Sequence, residues 1–162
     1  MTWRGPADRL AASPTNVDSE DAMTVTSEAT TAWTGSLMEG SGTVSFASGI
    51  GDFPVNWKAR SEGSDSTTTP EELIAAAHAS CFSMALSHAL AENGTPPEKV
   101  NTTASVTFKP GTGITGSHLN VNAVVPGLDA EKFREIAEGA KSGCPVSQAL
   151  AGIEITLEAA LA

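Results

Sequence analysis

The stretch PEELIAAAHASCFSMALSHALAE, residues 70–92, decides the fold of this 162-residue chain. Thr69 before it is an N-cap residue, Pro70 suits the first helical position, and Glu71 and Glu72 complement the positive end of a helix dipole. Asn93-Gly94 and Pro96-Pro97 stop the element. Between Leu73 and Ala91 no charged residue occurs. The large apolar residues there are Leu73, Ile74, Phe82, Met84, Leu86 and Leu90, diluted by alanine, serine, His78 and His88. That composition predicts a buried core helix rather than a membrane span. Because it is apolar nearly all round, it needs cover on several sides, more than one small sheet provides.

Working outward, the C-terminal flank carries two runs of strict alternation. Val100, Thr102, Ala104, Val106 and Phe108 alternate with polar neighbours, as do Leu119, Val121, Ala123 and Val125. A loop over 109–117 with three glycines joins them as an expected antiparallel pair. Asp129 caps a second helix, with Phe133, Ile136, Ala137 and Ala140 at helical spacing, ending at Gly143. A short helical turn begins at Pro145, and Ile153, Ile155, Leu157 and Leu161 mark a last strand. On the N-terminal flank, Glu28–Trp33 and Thr43–Ala47 predict a hairpin turning through residues 39–42. Phe53, Val55 and Trp57 predict a third strand ending near Arg60, followed by a polar loop over Ser61–Thr69. The order strands, helix, strands, helices, strand is that of an α+β domain with antiparallel sheet over a buried helix. Residues 27–162 are expected to form that domain. Residues 1–26, rich in Ser, Thr, Asp and Pro, are expected to be a disordered extension, with Met23 an alternative start.

Nine Lys and Arg against nineteen Asp and Glu give a net charge of −10, which repels phosphate backbones and anionic membranes. Neither nucleic acid nor a membrane is an expected partner. Residues 1–22 carry charges and no apolar run of a secretory signal, so a cytoplasmic location is expected.

The two cysteines are too few for a disulfide scaffold. Cys144 precedes Pro145 and so stands at the N-cap of a helical turn, where a thiol pKa is lowered; filling space before a turn is the plainer alternative. Cys81 sits mid-helix, where burial raises a thiol pKa, so attack on an electrophile needs a nearby cation. Of the four arginines, Arg4 and Arg9 lie in the extension and Arg134 on an exposed helix face. Arg60 is left to reach a buried site, with Lys58 and Lys141 weaker candidates, and its planar fork suits holding a thiolate beside a second acceptor. Spacing alone therefore allows dithiol chemistry and nominates Cys144 as the more activated thiol. It also allows two inert thiols in a binding module. A metal site built from His78-x-x-Cys81 with Cys144, His88 or His118 lacks any paired short-range motif, and a histidine on an apolar helix face is more often a core residue.

Pro70–Ile74 with His78-Ala-Ser-Cys81-Phe82 resembles the first cysteine motif of the OsmC/Ohr family of thiol peroxidases, and Ala140-Lys-Ser-Gly-Cys144-Pro-Val-Ser147-Gln the second. Trp33-Thr-Gly with Gly42-Thr-Val-Ser resembles the family's opening hairpin, and Val125-Pro-Gly-Leu-Asp129 its link into the second helix. The match spans roughly residues 28–160, and Arg60 before the polar loop, with His78, sides with the OsmC branch. The resemblance implies a thiol-dependent peroxidase acting on organic hydroperoxides without metal, flavin or other cofactor. Cys81 would be the peroxidatic and Cys144 the resolving cysteine, joined as a disulfide after turnover, with Arg60 and Glu71 activating. It further implies an intertwined homodimer and an external thiol reductant, dihydrolipoamide or a lipoyl protein. Ser80 departs from the usual motif and is expected to add a hydrogen bond near the sulfur. Glu71 and Cys81 are ten residues apart, about 15 Å along a straight helix. If both serve one site, Glu71 comes from a second subunit.

Overall fold

The computed structural model describes residues 24–162. Of the extension expected over 1–26, residues 1–23 lie outside the described residues, and 24–26 carry no regular structure. The elements are β1 (Ala29–Thr34), β2 (Ser41–Phe46), β3 (Asp52–Val55), α1 (Trp57–Glu62), α2 (Pro70–Glu92), β4 (Lys99–Lys109), β5 (Gly113–Val124), α3 (Ala130–Gly143), α4 (Pro145–Ala149) and β6 (Glu154–Leu161).

The long helix forms where its caps place it. The Thr69 side chain accepts the Glu72 N–H at 3.1 Å, with Pro70 in the first turn and the Asn93 N–H closing onto Ala89. Its buried residues are Glu71, His78, Phe82, Leu86 and Leu90, and the last four recur every four positions as one stripe. That stripe, and not the whole circumference, is what a single chain covers. Phe82 is wholly buried whereas Met84, two residues on, is 72% exposed.

The stripe packs on the sheet β4-β5-β6 and against α3. The main core joins Phe82, Leu86 and Leu90 to Leu119, Val121 and Ala123 of β5 and to Phe133 and Ala137 of α3. Alternation sets which side chains enter it: Ser117, Leu119, Val121 and Ala123 are buried, while the residues between them face outward. Asp129 caps α3 by accepting from the N–H groups of Glu131 and Lys132 at 3.0 and 2.9 Å.

Three expectations need correction. First, this sheet is mixed: β4 and β5 are antiparallel, but β5 and β6 run parallel from Gly116↔Glu154 to Ala123↔Leu161. The helices α3 and α4 carry the chain back across the sheet, which lets β6 start at the same end as β5. Second, the 109–117 loop is a tight turn, because β5 begins at Gly113 and pairs back to Lys109, with a register shift at Thr107/Phe108. Third, Arg60 does not end a strand. Asn56 accepts the Ala59 N–H at 2.7 Å and starts α1, so Trp57, Lys58 and Arg60 are helical; Gly63 at φ +84° ends it.

The first sheet, order β1-β2-β3, is an antiparallel meander. Its hairpin turns over residues 35–40, slightly earlier than expected. Gly40 is required there, since a Cβ would collide with the carbonyls of Ser36 and Thr34. This sheet buries Val44 and Val55 but leaves Trp33, Leu37, Met38 and Phe53 exposed.

Candidate active site

Two separate groups of the expected residues come together. In one, Cys81 from the middle of α2 meets Cys144 at the junction of α3 and α4. Both are free thiols, Cys144 buried and Cys81 half-buried. The two thiols lie close enough to shift one another's pKa, and the backbone N–H of Val146 lowers both. Burial pushes the Cys81 thiol up, more than the Val146 N–H offsets, and Cys144 beside it pushes the same way. Burial also pushes Cys144 up, but the N–H groups of Ser147 and Val146, the Cys81 thiol and the Ser147 hydroxyl outweigh it, so its pKa is lowered. Cys144 is thus the better-ionised sulfur of an isolated chain, in line with its expected N-cap position.

In the second group, Arg60 of α1 grips Glu71 in the first turn of α2. Its Nε donates to Oε1 at 3.1 Å and its Nη2 to the same oxygen at 2.8 Å. Glu71 is buried and Arg60 is partly exposed, with its guanidinium 4.3 Å above the ring of Phe108 on β4. Trp57 meets that ring edge-on at 6.2 Å. Beside the arginine lies an apolar pocket of about 320 Å³, lined among others by Trp33, Leu37, Val55, Trp57 and Leu73.

Within one chain these groups do not meet. Arg60 and Glu71 sit at the start of α2, about 15 Å along the helix from Cys81, and neither is among the groups that shift the Cys81 thiol. The pairing of Arg60 with Glu71 adds to the sequence reading: whatever site Glu71 serves, Arg60 serves it too.

The remaining candidates fall away from the sulfurs. Lys141 pairs with Glu138 at 2.6 Å, and His88 lies by Glu92 on an exposed surface. His118 bonds Thr156 across the outer sheet face at 2.7 Å. Ser80 donates to the Ala76 carbonyl of its own helix and not toward the sulfur. Phe82, beside Cys81 in sequence, lies in the core. His78 is wholly buried, and both its ring nitrogens are engaged by serines: Nδ1 with Ser117 at 2.8 Å and Nε2 with Ser147 at 2.9 Å. That leaves it no lone pair for a metal. Ser117 and Ser147 were not singled out by sequence reasoning; the position of Ser147 three residues after Cys144 was the available signal.

Comparison with known proteins shows the family and the fold. Residues 63–158 match the family model described as OsmC-like protein. The chain is 46% identical over 140 residues to peroxiredoxin OsmC of Escherichia coli, covering 84% of this chain and 96% of the relative. It is 30% identical over 113 residues to organic hydroperoxide resistance protein OhrB of Bacillus subtilis, covering 68% of this chain and 82% of that one. The crystal structure of that OhrB superposes with a TM-score of 0.63 over 83% of this chain and 98% of its own. A hydroperoxide resistance protein from Legionella pneumophila, at 23% identity, shares the fold with a TM-score of 0.64 over 85% of this chain and 97% of that one. With the two cysteine motifs in contact and the α+β fold in common, this chain belongs to the OsmC family.

Proposed function

We propose that the protein is a two-cysteine peroxidase that reduces organic hydroperoxides in a site shared by two chains. The observation that carries this reading is the contact between Cys81 and Cys144, two free thiols delivered by different elements. A thiol pair that only filled space would need neither Arg60 nor the clamp on Glu71. The names of the relatives, peroxiredoxin and organic hydroperoxide resistance protein, support the same reaction class.

The Cys81 thiolate attacks one oxygen of ROOH; the S–O bond forms, the O–O bond breaks, and the leaving alkoxide takes a proton to become the alcohol. Cys81 is then a sulfenic acid. Cys144 attacks it, forming the disulfide and releasing water, and an external dithiol reopens the disulfide by exchange. In one chain Cys81 has a raised pKa, and among the described residues no cation lowers it. Arg60 of a second copy supplies that charge, held in place by Glu71 of the same copy. The apolar pocket beside Arg60 receives the alkyl group of the substrate. The uncovered side of α2 and the exposed apolar residues of the first sheet are the surfaces such a homodimer closes.

The test is single-turnover oxidation by one equivalent of an alkyl hydroperoxide, followed by mass spectrometry. Cys81→Ser abolishes peroxide consumption, and Cys144→Ser consumes one equivalent and stops at the Cys81 sulfenic acid, which only excess hydroperoxide oxidises further. Full activity in Cys81→Ser would show the reading to be wrong.

A further inference from the structure

The buried polar line Ser117–His78–Ser147 ends on Cys144, and the reaction just proposed does not use it. Ser117 is contributed by β5, His78 by α2 and Ser147 by α4. All three are buried, with His78 at 0% exposure, and among the described residues no buried side-chain nitrogen or oxygen lacks a partner. The ring nitrogens sit 2.8 Å from Ser117 Oγ and 2.9 Å from Ser147 Oγ, and Ser147 stands in the first turn of α4 three residues after Cys144, near enough for its hydroxyl to lower that thiol's pKa.

The donor count along this line has one solution when Cys144 is a thiolate held by Ser147 and His78 is neutral. Each serine has one hydroxyl hydrogen, and a neutral imidazole has one N–H. When Cys144 is a thiolate it can only accept, and the Ser147 hydroxyl turned toward it donates. The Ser147 oxygen then accepts from His78 Nε2–H, and His78 Nδ1 accepts from Ser117. A doubly protonated imidazole would also donate to Ser117, but burial with no carboxylate on the line holds His78 neutral, its pKa lowered.

Resting on the two-cysteine reading, we infer that His78 is a positioning residue for the resolving step: its neutral imidazole orients the Ser147 hydroxyl onto the Cys144 thiolate that attacks the Cys81 sulfenic acid. In that step the S–S bond forms and the S–O bond of Cys81 breaks. The departing hydroxide, with the proton given up by Cys144, leaves as water. A donor on the thiolate raises its population, while lowering its intrinsic nucleophilicity by a smaller factor, so the net gain is modest.

The experiment is a rapid-quench single turnover with an alkyl hydroperoxide on the full chain, trapping sulfenic acid with dimedone and quantifying disulfide by mass spectrometry. In His78→Leu and Ser147→Ala, disulfide closure slows by about five-fold or more, the balance set by hydrogen bonding to a charged group against nucleophilicity. Cys81 oxidation keeps its wild-type rate, and trapped sulfenic acid accumulates. His78→Gln restores closure to within about two-fold, because its amide offers one acceptor and one donor at the spacing of the two ring nitrogens. If His78→Leu fails to fold, Ser147→Ala carries the test. Closure at the wild-type rate in Ser147→Ala, or His78→Gln as slow as His78→Leu, would overturn the inference. Wild-type protein that forms neither sulfenic acid nor disulfide would instead overturn the two-cysteine reading.

Discussion

The two halves of this chain differ in how far each is finished. From Pro70 onward, helix, sheet and the helices α3 and α4 enclose a continuous core, and Met84 is the single strongly exposed large apolar residue there. Before Pro70 the proportions invert among the described residues: Val44, Val55 and Ala59 are buried, against Val25, Trp33, Leu37, Met38, Ile50 and Phe53 exposed. The chemistry divides along the same line. The sulfur pair lies in the finished half, while Arg60 stands in the unfinished one, reaching across to grip Glu71 and to lie over Phe108 of the other. A surface that is apolar and uncovered, next to a cation held ready with no sulfur beside it, is what half of a shared site looks like. In the proposed dimer, completing the fold and completing the site are one event.

The comparison breaks most visibly in the core. Phe133→Ala removes a wholly buried ring that packs between α3 and α2, and should cost about 3–5 kcal/mol in denaturant unfolding. Phe53→Ala, on the open first sheet, should cost far less in a dissociated chain. Equal losses would mean that the first sheet already has its partner within the chain.

Met84→Glu probes the uncovered face of α2. The side chain is exposed in the single chain, so the charge leaves monomer folding nearly unchanged, but burying it against a second copy is costly. Association measured by sedimentation should weaken by about ten-fold or more, a cost of about 1.4 kcal/mol or more. Turnover per chain should become concentration-dependent in parallel. A Met84→Glu protein with undiminished association would place the interface elsewhere.

The smallest effect sharpens the finished half. His78 has a folded pKa below its ordinary value of 6.5 because burial disfavours the charged ring. Between those two values the unfolded chain binds a proton that the folded chain does not. Stability is therefore lost as pH falls below about 6.5, with a slope of at most about 1.4 kcal/mol per pH unit. His78→Gln, which does not titrate, should remove that part of the slope in unfolding experiments run across this window. An unchanged slope would assign it to other groups.

How much of this was legible in the residues follows from how local each signal is. The bounds of α2 were readable because Thr69, Pro70 and Asn93 each act within one turn. The faces of β4, β5 and β6 were readable because alternation needs no partner. Arg60 was placed on a strand because Phe53, Val55 and Trp57 keep an alternating pattern through Asn56, whose cap on Ala59 ends it. The parallel return of β6 was hidden, since strand order depends on how α3 and α4 cross the sheet. Of the candidate site, the motifs point to both cysteines and Glu71, elimination and motif together point to Arg60, and helix arithmetic separates Glu71 from Cys81. The Arg60–Glu71 pairing and the serines around His78 were not visible, because they join residues 11, 39 and 69 positions apart.

The most direct test of a site shared between chains is complementation between Arg60→Met and Cys81→Ser. Each variant alone lacks one essential group in every site and should be inactive. Co-expressed with separate tags, the mixed dimer joins Cys81 of one chain to Arg60 and Glu71 of the other in one of its two sites. Random pairing should therefore return about a quarter of wild-type hydroperoxide turnover, and the purified mixed dimer about half. A purified mixed dimer as inactive as its parents would contradict the account and return the whole site to a single chain.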